Sequence, residues 1–202
     1  MRRLLLASRS PRRRSLLKAL GLRFRSASPG IDETGGGFPP EAEARLLAWE
    51  KARSMRERAR GALVVSADTV VVLDGRILGK PRSRSSARRM LQSLSGRTHT
   101  VITAVAMLDS RTGEGMVRHT ASRVTMRRLS DGEISAYVAT GEPMDKAGAY
   151  GVQDRMRLVR RVRGDWFNVM GLPVRLFARM AGRLGLRVSP ARLSLLYRTL
   201  RP

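Results

Sequence analysis

Asp68 lies between two apolar, β-branched runs, Val64-Val65 and Val70-Val71-Val72. A carboxylate in so apolar a segment is rarely buried without a partner, because removing its charge from water is costly. Such a group can serve as a general base, hold a metal ion, or accept hydrogen bonds from backbone amides in a bend between two strands. The residues alone leave these three interpretations open.

Lysine is the next candidate for chemistry, because this chain uses arginine almost everywhere else. Among 40 basic residues, lysine occurs only at Lys18, Lys51, Lys80 and Lys146. Lysine is a compact charge on a flexible stem, whereas arginine is a rigid planar fork. A retained lysine therefore marks a position that arginine fills poorly, and the loop around Lys80 leads back towards the strand of Asp68.

The N-terminal segment has the features of an anion-binding turn. Residues 3–8 favour a short buried strand, Ser10 is a good N-cap, and Pro11 fits the first helical position. Arg12 and Arg13 then fall in the first turn, where the helix dipole already places positive charge. An anion bound between them would explain this arrangement, since free N–H groups at a helix start bind phosphate. The alternative is that both arginines extend into solvent.

Composition limits the classes of protein that are possible. The chain has 202 residues, 42% of them hydrophobic, and a formal net charge of +24. Polyanions are the expected partners of such a charge, although a genome-wide bias towards arginine explains much of it. We expect a soluble cytoplasmic protein, because no apolar window is long enough to span a membrane. The absence of cysteine excludes disulfides and thiolate metal sites.

Periodicity and breakers predict alternating strands and helices, hence an α/β or α+β fold. Strands are expected at residues 3–8, 63–65, 70–73, 99–108, 116–127 and 165–169. Helices are expected at residues 11–20, 41–60, 83–94, 131–140 and 174–184. The Asp74-Gly75 dipeptide predicts a hairpin turn, and Ser130 with Glu133 predicts a capping box.

Six blocks of sequence, in order, resemble one family. They are LASRSPRR (6–13), SADTVV (66–71), GKP (79–81), LSGRTHTVITAV (94–105), DKAGAYGVQ (145–153) and NVMGLP (168–173). The chain resembles the Maf family of nucleoside triphosphate pyrophosphatases. Any one block would carry little information, but six in order cover nearly the whole chain up to about residue 186.

The resemblance implies a fold and an activity. The fold is α/β and inosine-triphosphatase-like, a mixed sheet with flanking helices in two lobes around a deep cleft. Residues 1–187 would form this domain, followed by a basic tail at 188–202. The implied reaction is hydrolysis of a nucleoside triphosphate to the monophosphate and pyrophosphate, with Mg²⁺ or Mn²⁺ as cofactor. A homodimer is also implied.

Site residues follow from the matching positions. The resemblance places catalysis on Asp68, Lys51 and Lys80, and phosphate binding also on Ser8 and Arg13. It assigns the metal to Asp68 together with an acidic residue of the first loop, here Glu33. Three of the four lysines thus fall in family motifs.

Three positions separate branches of the family. Arg12, Thr69 and Gln153 resemble the branch acting on dTTP and UTP, whereas the 7-methyl-GTP branch usually has a bulky aromatic at the first of them. All three would contact substrate. Asp154 departs from the family, which commonly has glycine there, and adds a charge beside Gln153.

Two alternatives come from other classes of protein. A basic nucleic-acid-binding protein is suggested by the net charge of +24, but aromatic residues make up only 4% of the chain, few for stacking bases. A regulator of cell division is suggested by the family name, and no residue speaks for or against it.

Overall fold

The computed structural model of the protein describes residues 2–31 and 37–199. Within them, seven strands form one mixed sheet in the order β2-β1-β3-β5-β6-β7, with β4 also paired to β3. The strands are β1 (Leu4–Ala7), β2 (Arg25–Ala27), β3 (Leu63–Leu73), β4 (Arg76–Leu78), β5 (Thr98–Asp109), β6 (Gly115–Met126) and β7 (Val159–Arg163). The β1 strand pairs in parallel with β2 and β3, and the other pairs are antiparallel. The predicted mixed sheet is confirmed.

Helices flank this sheet. They are α1 (Pro11–Ala19), α2 (Pro40–Arg53), α3 (Arg84–Leu94), α4 (Asp131–Ala139), α5 (Trp166–Val169), α6 (Val174–Arg183) and α7 (Pro190–Thr199). The side chains of Ser10, Ser83 and Ser130 cap α1, α3 and α4, as expected for serine at an N-cap. No helix in residues 2–31 or 37–199 is long and apolar enough to cross a membrane.

Three apolar clusters cover the sheet. On one face, Leu17 of α1, Phe177 of α6 and Leu196 of α7 pack with β1, β3 and β5. On the opposite face, α2 packs its small residues, including Ala48, against the same three strands. A third cluster joins α3 and α4 to the far end of β3, around Tyr137. The segment predicted as a basic tail contains α7, whose Leu196 is buried in the first cluster.

The β3 strand has a gap along one edge, and this gap sets the location of the cleft. The β1 strand pairs with residues 63–65 of β3, and β4 pairs on the same side with residues 71–73. Residues 66–70 have no strand partner on that edge among the described residues. Asp68 lies in the middle of the gap. On the opposite edge of β3, Asp68 pairs with Ala104 of β5. The two halves of the fold therefore flank an opening in the sheet, which confirms the predicted cleft.

Several predicted elements were wrong. The helix expected at 41–60 ends at Arg53, and only a short 3₁₀ turn follows at Glu57–Ala59. The bend considered at Asp68 does not exist, because one continuous strand runs from 63 to 73. Residues 165–169 form a helical turn, not a strand, because the side chain of Asp165 accepts a hydrogen bond from Phe167 N at 2.9 Å and caps it. Neither β2 nor β7 was anticipated.

Candidate functional site

The opening beside β3 is the mouth of a cavity of about 1210 Å³. It is bounded by the start of α1, by α2, by the segment after β4 and by residues 145–154. Eight of the nine predicted site residues line it: Ser8, Arg12, Arg13, Lys51, Asp68, Thr69, Lys80 and Gln153. The ninth, Glu33, lies outside the described residues. Cations widely separated in the sequence thus line one cavity, together with Asp68.

Lys51 and Asp68 form a buried ion pair at the base of the cavity. Lys51 Nζ lies 2.6 Å from Oδ1 of Asp68, and the two residues are only 4% and 7% exposed. The pair arises from local geometry: one turn earlier on α2, the carbonyl of Ala48 accepts a hydrogen bond from Ser66 Oγ. Ser66 and Asp68 point to the same side of β3, because side chains alternate along a strand. The second carboxylate oxygen of Asp68 makes no hydrogen bond to another described residue.

Arg13 connects three segments on the other side of β3. Its Nε donates to the carbonyl of Gly171 at 2.8 Å, and its Nη2 donates to Thr69 Oγ1 at 3.1 Å. Its Nη1 donates to Ser8 Oγ at 3.3 Å. A planar guanidinium presents several N–H groups in fixed directions, which lysine does not. The arginine is therefore held in one orientation at the edge of the cavity.

The start of α1 is shaped as the sequence predicts. Ser10 Oγ accepts from Arg13 N at 3.4 Å, and Ser8 Oγ accepts from Ser10 N at 3.2 Å. Arg12 crosses the cavity mouth, where its Nη2 lies 3.6 Å from Oδ2 of Asp145. The first turn of α1 thus places the positive end of the helix dipole and a fixed guanidinium beside one space, which suits a phosphate.

A buried polar network behind Thr69 was missed by the sequence reasoning. Thr69 Oγ1 lies 3.0 Å from Thr103 Oγ1. Asn168 is fully buried; its Oδ1 accepts from Thr103 N at 3.0 Å, and its carbonyl accepts from Thr103 Oγ1 at 2.8 Å. Asn168 Nδ2 donates to the carbonyl of Val101 at 2.9 Å. The sequence did contain a signal for this network: Asn168 is the one polar residue in the apolar stretch WFNVM, and a buried side-chain amide requires hydrogen-bond partners.

The wall opposite α1 contains two further polar groups that were not assigned a role. Tyr150 lines the cavity, and its hydroxyl lies 2.6 Å from Nε2 of buried His99. Burial lowers the pKa of His99 to about 4, so its imidazole is neutral. Lys146, flagged by the scarcity of lysine, is 7% exposed and also lines the cavity. The sequence did not predict that His99 and Lys146 lie at this wall.

Lys80 and Gln153 are exposed at the rim of the cavity, in contrast to the buried Lys51. Flexible stems at the rim allow both to adjust to a ligand. The described residues contain no cluster of three or more metal-binding side chains. Asp68 is thus one carboxylate that could contribute to a metal site.

A continuous mixed sheet that opens on a cation-lined cavity defines an α/β protein suited to hold a polyphosphate. The family model described as Maf-like protein matches residues 3–184. The chain belongs to the Maf family, as the six sequence blocks predicted.

Two similar curated proteins share one name. A protein of Moorella thermoacetica, "dTTP/UTP pyrophosphatase", is 52% identical over 176 residues, covering 86% of this chain and 91% of its own length. A protein of Pelotomaculum thermopropionicum with the same name is 47% identical, covering 93% of this chain and 100% of its own. Among solved structures, the dITP/XTP pyrophosphatase of Mycobacterium abscessus is 21% identical with a TM-score of 0.41, covering 63% of this chain and 75% of that one. The Ham1 protein of Staphylococcus aureus is 14% identical with a TM-score of 0.44, covering 98% of both chains.

Proposed function

We propose that this protein is a nucleoside triphosphate pyrophosphatase that hydrolyses dTTP and UTP to the monophosphate and pyrophosphate. The observation that carries the proposal is the buried Lys51–Asp68 pair, 2.6 Å apart, on the floor of a cavity that Arg13 and Lys80 also line. The dTTP/UTP name of relatives up to 52% identical supports the same substrates.

Different parts of the cavity bind the triphosphate and neutralise its charge. The triphosphate lies over the start of α1, where the backbone amides and Arg13 bind its oxygens and Ser8 holds the guanidinium in place. Lys51 and Lys80 neutralise charge as the phosphoanhydride bond that joins the α- and β-phosphates through their bridging oxygen breaks. Phosphoryl transfer is catalysed mainly by positioning and electrostatics, so these cations supply much of the rate.

Asp68 orients the attacking water through its carboxylate. A free aspartate has a pKa of about 3.9 and is a weak base at neutral pH. Lys51 Nζ, 2.6 Å from Oδ1, holds the carboxylate in place, which suits a role in orienting water. The pair also places a positive charge beside the reacting phosphate.

A divalent cation, Mg²⁺ or Mn²⁺, is part of the proposal. Mg²⁺ is commonly held by one or two carboxylates together with substrate phosphates, so the buried carboxylate of Asp68, one of several that line the cavity, fits such a site. Asp68 and Glu33 would hold the ion. When bound, it would polarise phosphate oxygens and lower the pKa of a coordinated water.

Base selectivity is assigned to Arg12, Thr69 and Gln153. Thr69 Oγ1 already contacts both Arg13 and Thr103, at 3.1 and 3.0 Å, so it presents a fixed hydrogen-bonding group. Gln153 is exposed at the rim and offers both a donor and an acceptor to a pyrimidine edge. A site that hydrogen-bonds a base can reject analogues that lack the matching group.

The proposal also covers the setting of the enzyme. The catalytic domain, proposed at residues 1–187 with α7 packed against its core, acts in the cytoplasm, where nucleoside triphosphates are present and a chain without cysteine needs no oxidising environment. The enzyme would act as a homodimer, with nucleic acid as neither substrate nor partner.

Turnover of dTTP, UTP, CTP and 7-methyl-GTP by the purified protein tests the proposal. We expect dTTP and UTP to be preferred, with pyrophosphate and not phosphate released. Preference for 7-methyl-GTP would overturn the base assignment and leave the chemistry standing. No pyrophosphate release from any of the four nucleotides, with Mg²⁺ or Mn²⁺ present, would refute the activity.

A further inference from the structure

We propose that Tyr137, Lys146 and Asp154 form a positioning cluster, which fixes the turn at residues 151–154 and so sets how Gln153 meets the base of the substrate. The inference concerns base selectivity and rests on the proposed function. None of the three is a catalytic residue in this proposal; they act through Gln153.

The hydroxyl of Tyr137 bridges the two ends of this turn. It accepts a hydrogen bond from Gly151 N at 3.3 Å, and it donates to Oδ2 of Asp154. Tyr137 comes from α4 and is only 1% exposed, so its ring is immobilised by the surrounding core. One rigid hydroxyl thus secures the first and last residues of the segment that carries Gln153.

Asp154 joins two consecutive turns of the backbone. Its N–H donates to the carbonyl of Gly151 at 3.3 Å, and its carbonyl accepts from Arg157 N at 3.0 Å. The carboxylate packs directly on Gly151, where a Cβ would approach its Oδ1 to 2.3 Å. Only glycine at 151 leaves room for this arrangement, which links the side chain at 154 to the backbone at 151.

Lys146 places a positive charge between the carboxylates of Asp154 and Asp145. Its Nζ lies 3.8 Å from Asp154 Oδ2 and 3.0 Å from Asp145 Oδ1, and it donates to the carbonyl of Glu142. The side chains of Lys146 and Asp154 are only 8% and 12% exposed. An unpaired carboxylate here would repel a polyphosphate in the same cavity, so the ammonium makes Asp154 compatible with substrate.

The protonation state of Tyr137 suits this role. Burial and the hydrogen bond to Asp154 raise the pKa of Tyr137, so that the phenol keeps its proton and remains a donor at neutral pH. The phenol therefore keeps the proton that it donates to Asp154 at neutral pH.

The consequence for Gln153 is conformational. Gln153 is exposed, so its own side chain is not held by packing, and its direction depends on the backbone between Gly151 and Asp154. A fixed backbone reduces the entropy lost when Gln153 binds a base, and limits the positions that its amide group can reach. Loosening the turn would weaken discrimination more than catalysis.

The test uses Tyr137→Phe, Asp154→Ala and the double variant, with two matched controls. Tyr197→Phe removes a phenol hydroxyl that lies 3.1 Å from Asp165 Oδ1, and neither residue lines the cavity. Asp131→Ala removes an exposed carboxylate that accepts from Gln92. The measurements are kcat and KM for UTP and CTP, and amide hydrogen exchange of residues 150–157 without nucleotide.

We expect each cluster variant to lower the ratio of kcat/KM for UTP over CTP about tenfold, which corresponds to about 1.4 kcal/mol. The loss should come mainly from KM, and the double variant should lose no more than the worse single variant, since both residues act through one turn. Exchange at residues 150–157 should quicken in the cluster variants and stay unchanged in both controls.

The outcomes separate this inference from the proposed function. Faster exchange at residues 150–157 in a protein that hydrolyses no nucleotide would refute the function, and with it the selectivity role. An active enzyme whose UTP-over-CTP ratio and exchange stay at the wild-type values in Tyr137→Phe and Asp154→Ala would refute the cluster alone. Equal loss of the ratio in Tyr197→Phe would also refute it.

Discussion

The ammonium group of Lys51 lies 2.6 Å from the carboxylate of Asp68, although the two residues belong to different elements, α2 and β3. Both are nearly inaccessible to bulk water, yet both line the cavity. A buried pair of this kind adds little net stability, because desolvation of two charges offsets their attraction. Its presence on the cavity floor is better explained by chemistry than by folding.

Asp68→Asn tests that explanation. The variant keeps the shape of the side chain but removes its negative charge, so we expect kcat for UTP to fall about 10²–10⁴-fold. Steady-state turnover with Mg²⁺ or Mn²⁺ measures the change, and urea unfolding confirms that the fold is intact. Glu50→Gln, one residue before Lys51 and partly exposed, is the matched control and should keep full activity. Near-normal turnover in Asp68→Asn would remove this residue from the mechanism.

Arg13→Lys tests the fixed guanidinium. Lysine has one terminal nitrogen and cannot reach Ser8, Thr69 and Gly171 together, so at least one buried partner is left unsatisfied. We expect the free energy of unfolding to fall by about 1–3 kcal/mol and KM for UTP to rise about tenfold or more. Urea unfolding and initial rates measure the two effects.

Arg14→Lys is the control for that substitution. Arg14 is the next residue of α1 and is exposed, so the same chemical change there should alter stability by less than about 0.5 kcal/mol. Equal effects of the two substitutions would mean that the general positive charge of α1 matters, and not the bridging contacts of Arg13.

Local patterns predicted much of this site. Ser10 followed by Pro11 fixes where α1 begins, because capping depends only on neighbouring residues. The scarcity of lysine pointed to Lys51, Lys80 and Lys146, and all three line the cavity. These signals are local or compositional, so they are readable without knowledge of the fold.

The gap in β3 could not be predicted in the same way. Which residues of β3 lack a partner depends on where β1 and β4 pair, and β1 lies more than 50 positions away in the sequence. The valine runs on either side of Asp68 therefore suggested two strands with a bend, where the structure has one strand. The turn at Trp166–Val169 was missed because a single capping carboxylate, Asp165, overrides the β-propensity of the segment.

Asn168→Asp tests the polar network behind Thr69. The substitution replaces an amide that donates to Val101 and Ser122 by an oxygen that cannot donate when ionised. We expect the free energy of unfolding to fall by at least about 2 kcal/mol, since buried acceptors lose their donor and a charge is buried. Urea unfolding at pH 7 measures the change. Gln92→Glu, the same chemical change at an exposed amide, should have little effect, and comparable losses would refute the network's importance.

His99 predicts a specific loss of stability in acid. Its pKa is about 4 in the folded protein, because burial disfavours the imidazolium, and about 6.5 when unfolded. Above pH 6.5 the imidazole is mostly neutral in both the folded and the unfolded state. His99 therefore contributes no pH dependence to the free energy of unfolding in that range. As pH falls from 6.5 to 4, only the unfolded state takes up the proton, and stability falls by roughly 3 kcal/mol in total. Nδ1 of His99 has no hydrogen-bond partner among the described residues, so no acceptor stabilises the imidazolium in the folded state.

Urea unfolding of His99→Gln and His119→Gln between pH 7.5 and 4 isolates this contribution. We expect His99→Gln to be less stable at pH 7, because Tyr150 loses its partner at 2.6 Å, but to lose less further stability in acid than the wild type. His119 is only half-buried on β6, and replacing it should leave the acid-dependent loss intact. An unchanged pH dependence in His99→Gln would show that other groups, such as protonated carboxylates, govern acid unfolding.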